Sequence, residues 1–195
     1  MIKYSDGREF KQTEFKKQKA HKHIISSGNR GMRLESDINL SNDFYLQSRV
    51  CLITKRPTPI NVVKVDYSKG AKITDAYFEK QSTTDYNGIY KGKYIDFEAK
   101  STVSTTSFPM ANISPHQITH LKNVIYFGGI AFFIIEFASF NEIYLLDAKY
   151  VIDFYEQEGR KSIPYKTLKE KGTLIKQGYL PRLQYIDAIN ENYFN

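Results

Sequence analysis

Thr83-Thr84-Asp85-Tyr86-Asn87-Gly88-Ile89-Tyr90 and Lys93-Tyr94-Ile95-Asp96-Phe97-Glu98-Ala99-Lys100-Ser101, parted only by Lys91-Gly92, carry the reading of this chain. Two β-rich runs broken by a two-residue turn spell a β-hairpin. The two-residue period of a strand puts Asp96, Glu98 and Lys100 on one face of the second run and Ile95, Phe97 and Ala99 on the other. In the first run Thr83 and Asp85 share a face, so a hairpin of suitable register sets their oxygens beside Glu98. Carboxylates gathered so closely repel one another unless a cation joins them. Oxygen ligands suit Mg²⁺, with Mn²⁺ able to substitute, and such an ion polarises a phosphoryl oxygen and acidifies an attacking water. Lys100 then offers positive charge to the phosphoryl oxygens as they become more negative. The same alternation also describes a solvated outer face, whose exposed cross-strand pairs contribute about 0.2–1 kcal/mol each. Spacing alone leaves both readings open.

Working outward, Ser114-Pro115 has the form of a helix start, and Ile118, Leu121 and Ile125 follow at helical spacing up to Gly128-Gly129. Gln117, early in that helix, can turn its amide oxygen toward a metal or its water. His116 and His120 stand at i, i+4 as phosphate or water partners, or as ordinary packed or exposed residues. Ile130 to Phe137 is a continuous apolar run, as in a central strand covered on both faces, and Ile143 to Leu146 supplies another. Upstream, Leu34, Ile38 and Tyr45 predict a helix over about Gly31 to Gln47. Glu35 is there either an outer acidic partner of the site or a first-turn acid favoured by the helix dipole. Val50 to Ile53 reads as a short strand stopped by Lys55-Arg56-Pro57-Thr58-Pro59, and Ile60 to Val65 as an extended run turning back near Ser68-Lys69-Gly70. Beyond Ala148 come a short helical pattern, a basic loop over 159–164 and a Tyr-rich tail of weak periodicity.

The balance of charge narrows the partner class. Twenty-eight Lys and Arg against 21 Asp and Glu leave a net +7 on 195 residues, which favours a polyanionic partner or an acidic membrane surface. Nine of those bases face three acids between Met1 and Arg33, so residues 1–28 read as a basic flexible arm or a plain solvated tail. The remaining 29–195 read as one domain. A single cysteine, Cys51, rules out an intrachain disulfide and a cysteine-based zinc site. With no apolar leader and no apolar run of membrane-spanning length, the expectation is a cytoplasmic protein without a membrane partner.

The blocks around Thr83 to Gly88 and Gly92 to Lys100 strongly resemble the RecU family of Holliday-junction resolvases, within the PD-(D/E)xK nuclease superfamily. The likeness extends to Asn29-Arg30-Gly31, Lys55 to Pro59, Ser107-Phe108-Pro109, His116-Gln117, Gly128 to Phe132 and Gly159 to Pro164. It implies an α/β fold, restriction-endonuclease-like, with a mixed central β-sheet flanked by helices and a protruding stalk at about 60–77. It further implies Mg²⁺ held through Thr83, Asp85, Glu98 and Gln117, with Lys100 as transition-state stabiliser. The implied activity is symmetric nicking of paired strands in four-way junction DNA by a homodimer, in recombination and repair. Strand annealing and association with recombination proteins belong to the same implication. Asp96 is placed to assist from the catalytic face. Arg30, Lys55 and Arg56, in matching blocks beside element ends, are the preferred phosphate contacts, and each reads equally as a solvated charge. Two rivals remain: a superfamily nuclease cutting linear or flap DNA, and a non-catalytic junction-binding protein.

Overall fold

The turn at the centre of the expected hairpin closes through Lys91 and Gly92, whose φ angles are 46° and 73°. Two consecutive left-handed residues give the turn that matches the twist of paired antiparallel strands. The computed structural model describes residues 27–78, 83–157 and 159–194, and for 27–30 the backbone alone. The expected arm therefore lies outside the described residues up to residue 26, and so does the side chain of Arg30.

In chain order the elements are α1 (Ser27–Gln47), β1 (Leu52–Lys55), β2 (Ile60–Asp66), β3 (Lys72–Phe78), β4 (Tyr86–Tyr90), β5 (Lys93–Thr102) and β6 (Ser107–Pro109). There follow α2 (Pro115–Tyr126), β7 (Ile130–Phe137), β8 (Glu142–Asp147), α3 (Ala148–Glu156), β9 (Ser162–Pro164), α4 (Tyr165–Lys171), β10 (Thr173–Leu174) and α5 (Tyr185–Tyr193). The six-stranded sheet has the order β1-β4-β5-β7-β8-β10. Only β5 and β7 pair in parallel, Glu98 opposite Phe133, and α2 is the crossover that a parallel pair requires. The sheet is therefore mixed, with helices on both faces, as the resemblance implied.

β7 decides which helices go where. Its eight residues are all buried, and their alternation splits the core in two. Ile130, Phe132 and Ile134 pack with Leu34, Ile38 and Tyr45 of α1 and with Tyr185, Ile186 and Ile189 of α5. Ala131, Phe133, Ile135 and Phe137 pack on the opposite face with Ile118, Leu121 and Val124 of α2, and with residues of α3 and α4. Because Ile95 and Phe97 join the first cluster, Asp96, Glu98 and Lys100 of β5 face the α2 side. The site thus sits under the crossover helix.

β2 and β3 form a separate antiparallel hairpin, with Ile60 opposite Phe78 and Asp66 opposite Lys72. Almost every residue of the pair is exposed, including Val63, Tyr77 and Phe78. Three sequence expectations are corrected here. α1 begins at Ser27 rather than near Gly31, so Glu35 lies well inside the helix and the first-turn dipole argument for it does not hold. The first-run strand starts at Tyr86, so Thr83 and Asp85 belong to the irregular approach to β4. The basic loop over 159–164 ends in a strand, with Ile163 paired to Phe108.

Candidate active site

β5 carries the chemistry into the protein's interior. Asp96 is 0% exposed and Glu98 1% exposed, which removes the solvated-face reading of their alternation. A buried carboxylate must find hydrogen-bond donors or opposite charge, or else take up a proton. The two acids meet that demand differently.

Glu98 accepts the backbone N–H of Asp85 at 3.1 Å and faces the Lys100 ammonium at 2.7 Å. The register places Tyr86 opposite Phe97, so continuing the chain one residue back sets Asp85 beside Glu98 even though β4 has not yet begun. The Asp85 carboxylate in turn accepts the backbone N–H of Ala99 at 3.4 Å. Burial first, and then the Asp85 charge, push the Glu98 carboxyl up to about 7, although Lys100 pulls it down. The two acids lie side by side, with the Lys100 ammonium against Glu98.

Asp96, two residues away on the same face, is saturated. Its Oδ2 accepts from Arg56 Nη2 at 2.7 Å and from the Tyr94 hydroxyl at 2.9 Å, and lies 2.9 Å from His120 Nε2. A ring lone pair facing a carboxylate at that distance would repel it, so the proton sits on Nε2. Its Oδ1 accepts from the Thr84 hydroxyl. Burial alone would raise this carboxyl; the bonds from His120 and Thr84 and the Arg56 charge outweigh it and hold Asp96 below its ordinary value.

α2 arrives over this strand with its N-terminus fixed by a capping box. Ser114 Oγ accepts the Gln117 N–H, and Gln117 Oε1 accepts the Ser114 N–H at 3.0 Å. Gln117 is buried, and one lone pair of its amide oxygen remains beyond that bond. A crossover helix runs antiparallel to its strands. With His120 over Asp96, Gln117, about one turn earlier in the helix, lies further toward the Glu98 end of β5. His116 is exposed on the same helix. Thr83, half-buried, lies two residues ahead of Asp85.

Among the described residues no three His, Cys, Asp or Glu side chains converge as a metal cluster. The donors brought together are the Asp85 and Glu98 carboxylates, linked through the N–H groups of Asp85 and Ala99. Two adjoining carboxyl groups, one of them raised to about 7, fit a hard divalent cation, whose remaining positions water or neutral oxygens can fill. Glu35 pairs with Lys55. Arg56, expected on phosphate, has both terminal nitrogens engaged within the protein. Sequence reasoning missed Thr84 and Tyr94. Their hydroxyls show only a polar residue beside an acid, and nothing local says that both turn onto Asp96.

The protein family described as Recombination protein U matches residues 29–191. A Holliday junction resolvase RecU from Bacillus cytotoxicus is 48% identical over 100% of this chain and 99% of its own length. Another of the same name from Geobacillus sp. (strain WCH70) is 50% identical over 86% of each chain. The solved structure of Hjc, a Holliday junction resolvase from Archaeoglobus fulgidus, is 12% identical and covers 72% of this chain and 93% of that one. Its TM-score of 0.44 is too low to bear on the assignment.

Proposed function

Because the chain belongs to the RecU family, which it matches over residues 29–191, we propose that it is a Holliday junction resolvase, an endonuclease that nicks paired strands of four-way DNA junctions. The observation that carries the chemistry is the pairing of Asp85 with the buried Glu98 beside Lys100. In this reading Asp85, Glu98, Gln117 and Thr83 hold Mg²⁺ or Mn²⁺. When bound, the ion supplies Lewis-acid polarisation of the scissile phosphate and lowers the pKa of the attacking water.

The protein's own groups do the rest. Lys100, on the same face as Glu98 and partly exposed, donates to the phosphoryl oxygens as negative charge gathers on them. The backbone N–H groups of Asp85 and Ala99 orient the two carboxylates. The exposed β2–β3 hairpin is the candidate stalk, and Lys55, half-exposed at its root, is the remaining candidate phosphate contact among the described residues. A two-fold homodimer would set two such sites against the two strands to be cut. No helix among the described residues is long and apolar enough to cross a membrane. A cytoplasmic place in recombination and repair agrees with this activity.

The test compares a labelled mobile four-way junction with a matched linear duplex, in Mg²⁺ and in EDTA, using the unaltered chain and Glu98→Gln. Expected are symmetric nicks in the junction alone, only with Mg²⁺, and binding without cutting by Glu98→Gln. Equal cutting of the linear duplex would make the chain a nuclease of broader substrate. Binding in EDTA with no nicking in Mg²⁺ would make it a binding protein.

A further inference from the structure

Arg56 is the residue that leaves β1 on the way to the β2–β3 hairpin, and it grips the segment by which the chain comes back. Its backbone N–H donates to the Asp85 carbonyl at 2.8 Å. Its Nη1 donates to the Thr84 hydroxyl at 2.6 Å and reaches the Thr84 carbonyl at 3.3 Å. The other terminal nitrogen donates to Asp96 at 2.7 Å and to the Tyr94 hydroxyl at 2.8 Å. One planar fork thus bridges Thr84, ahead of β4, and the strand that holds Glu98, while the side chain is only 18% exposed. The next residue after Thr84 is Asp85, whose N–H is bonded to Glu98.

This arrangement has a purpose that local structure does not supply. Residues 83–85 precede β4, so no strand ladder fixes Asp85. Two neighbouring carboxylates repel each other, and the bonds that already join Asp85 to β5, its N–H to Glu98 and its carboxylate from the Ala99 N–H, gain from a further restraint on its segment. Arg56 supplies that restraint through one backbone bond and one guanidinium. A guanidinium suits the task because its donors are rigidly splayed, whereas a lysine ammonium is a single point on a flexible stem.

We propose that Arg56 is a positioning residue for cleavage: by tying Thr84 and Asp85 to Asp96 it holds the Asp85 carboxylate at the distance from Glu98 that a divalent cation requires. The assignment rests on the reading of Asp85 and Glu98 as cation ligands, and it takes Arg56 out of the set of phosphate contacts. Groups that orient metal ligands typically change metal affinity by about 10- to 100-fold when altered.

Two variants test it. Arg56→Lys keeps the charge but puts one nitrogen where the guanidinium has two splayed ones, so the bonds to Thr84, Tyr94 and Asp96 cannot all be kept, and Thr84→Val removes the hydroxyl that Arg56 holds. Mn²⁺ affinity is measured by calorimetry without DNA, alongside the Mg²⁺ dependence of junction nicking, the salt dependence of junction binding in EDTA and thermal unfolding in EDTA. Each variant should weaken Mn²⁺ binding about tenfold or more. The double variant should lose little beyond either single one, because both cut the same tie. Saturating metal should restore most of kcat, and the salt slope should stay that of the unaltered chain.

Unchanged Mn²⁺ affinity in folded Arg56→Lys would overturn the proposal. So would a flattened salt slope, which would return Arg56 to phosphate binding. If Arg56→Lys does not fold, Thr84→Val decides by the same measurements. If the unaltered chain binds no Mn²⁺, the reading of the carboxylate site falls and the role of Arg56 falls with it.

Discussion

Asp96 and Glu98 lie two residues apart on one strand, on one face, both out of contact with solvent, yet burial has opposite outcomes for them. Asp96 meets four donors and sits below its ordinary carboxylate value. Glu98 has one backbone N–H and one lysine set against the Asp85 charge, and is raised to about 7. Burial is shared, so the difference lies in the partners. A fully satisfied acid is a brace, and an under-satisfied one marks where a cation or a proton is wanted.

The comparison breaks most visibly at the brace. Asp96→Ala leaves the Arg56 guanidinium, the Tyr94 and Thr84 hydroxyls and His120 without their common acceptor. Removing one partner of a buried ion pair costs about 3–5 kcal/mol, so urea unfolding in EDTA should show a loss of that order. A loss under 1 kcal/mol would mean that the network carries little weight.

Next comes the lysine on the under-satisfied side. Lys100→Ala should leave the fold in place, since Glu98 can take a proton instead, while single-turnover junction nicking falls by about 10²- to 10³-fold. Cleavage within a few-fold of the unaltered rate would deny Lys100 its role.

The smallest effect sharpens the contrast through pH. Glu98 titrates at about 7 when folded against an ordinary 4.5, so between those values the folded protein holds more proton than the unfolded chain. Its contribution to stability therefore falls as pH rises through that window and is fully unfavourable above 7. In metal-free protein Glu98→Gln should gain most over the unaltered chain above pH 7, by at most about 3 kcal/mol. That advantage should fade toward pH 4.5, and a pH-independent difference would contradict the raised value.

Much of the architecture was legible in local pattern. The Lys91-Gly92 turn, the Ser114-Pro115 helix start and the unbroken apolar run of β7 each carry their signal within a few residues. The facing of Asp96, Glu98 and Lys100 follows from strand period alone. Thr84 and Arg56 were not legible, because their partners lie 12 to 40 residues away in sequence, and a polar side chain carries no mark of a distant acceptor. The same limit hid α5, whose Tyr185, Ile186 and Ile189 complete the core under the sheet although the tail shows only weak periodicity. Arg56 reads in sequence as a base beside a strand end, and nothing local tells that its guanidinium bonds Asp96.

The under-satisfied pair can be questioned directly by titrating the metal-free protein with Mn²⁺ at pH 7 in two buffers of different ionisation enthalpy. Because Glu98 is raised to about 7, binding of one ion at that pH should release part of a proton, and Glu98→Gln should abolish that release and weaken binding. No binding by the unaltered chain, or the same proton release from Glu98→Gln, would contradict the account.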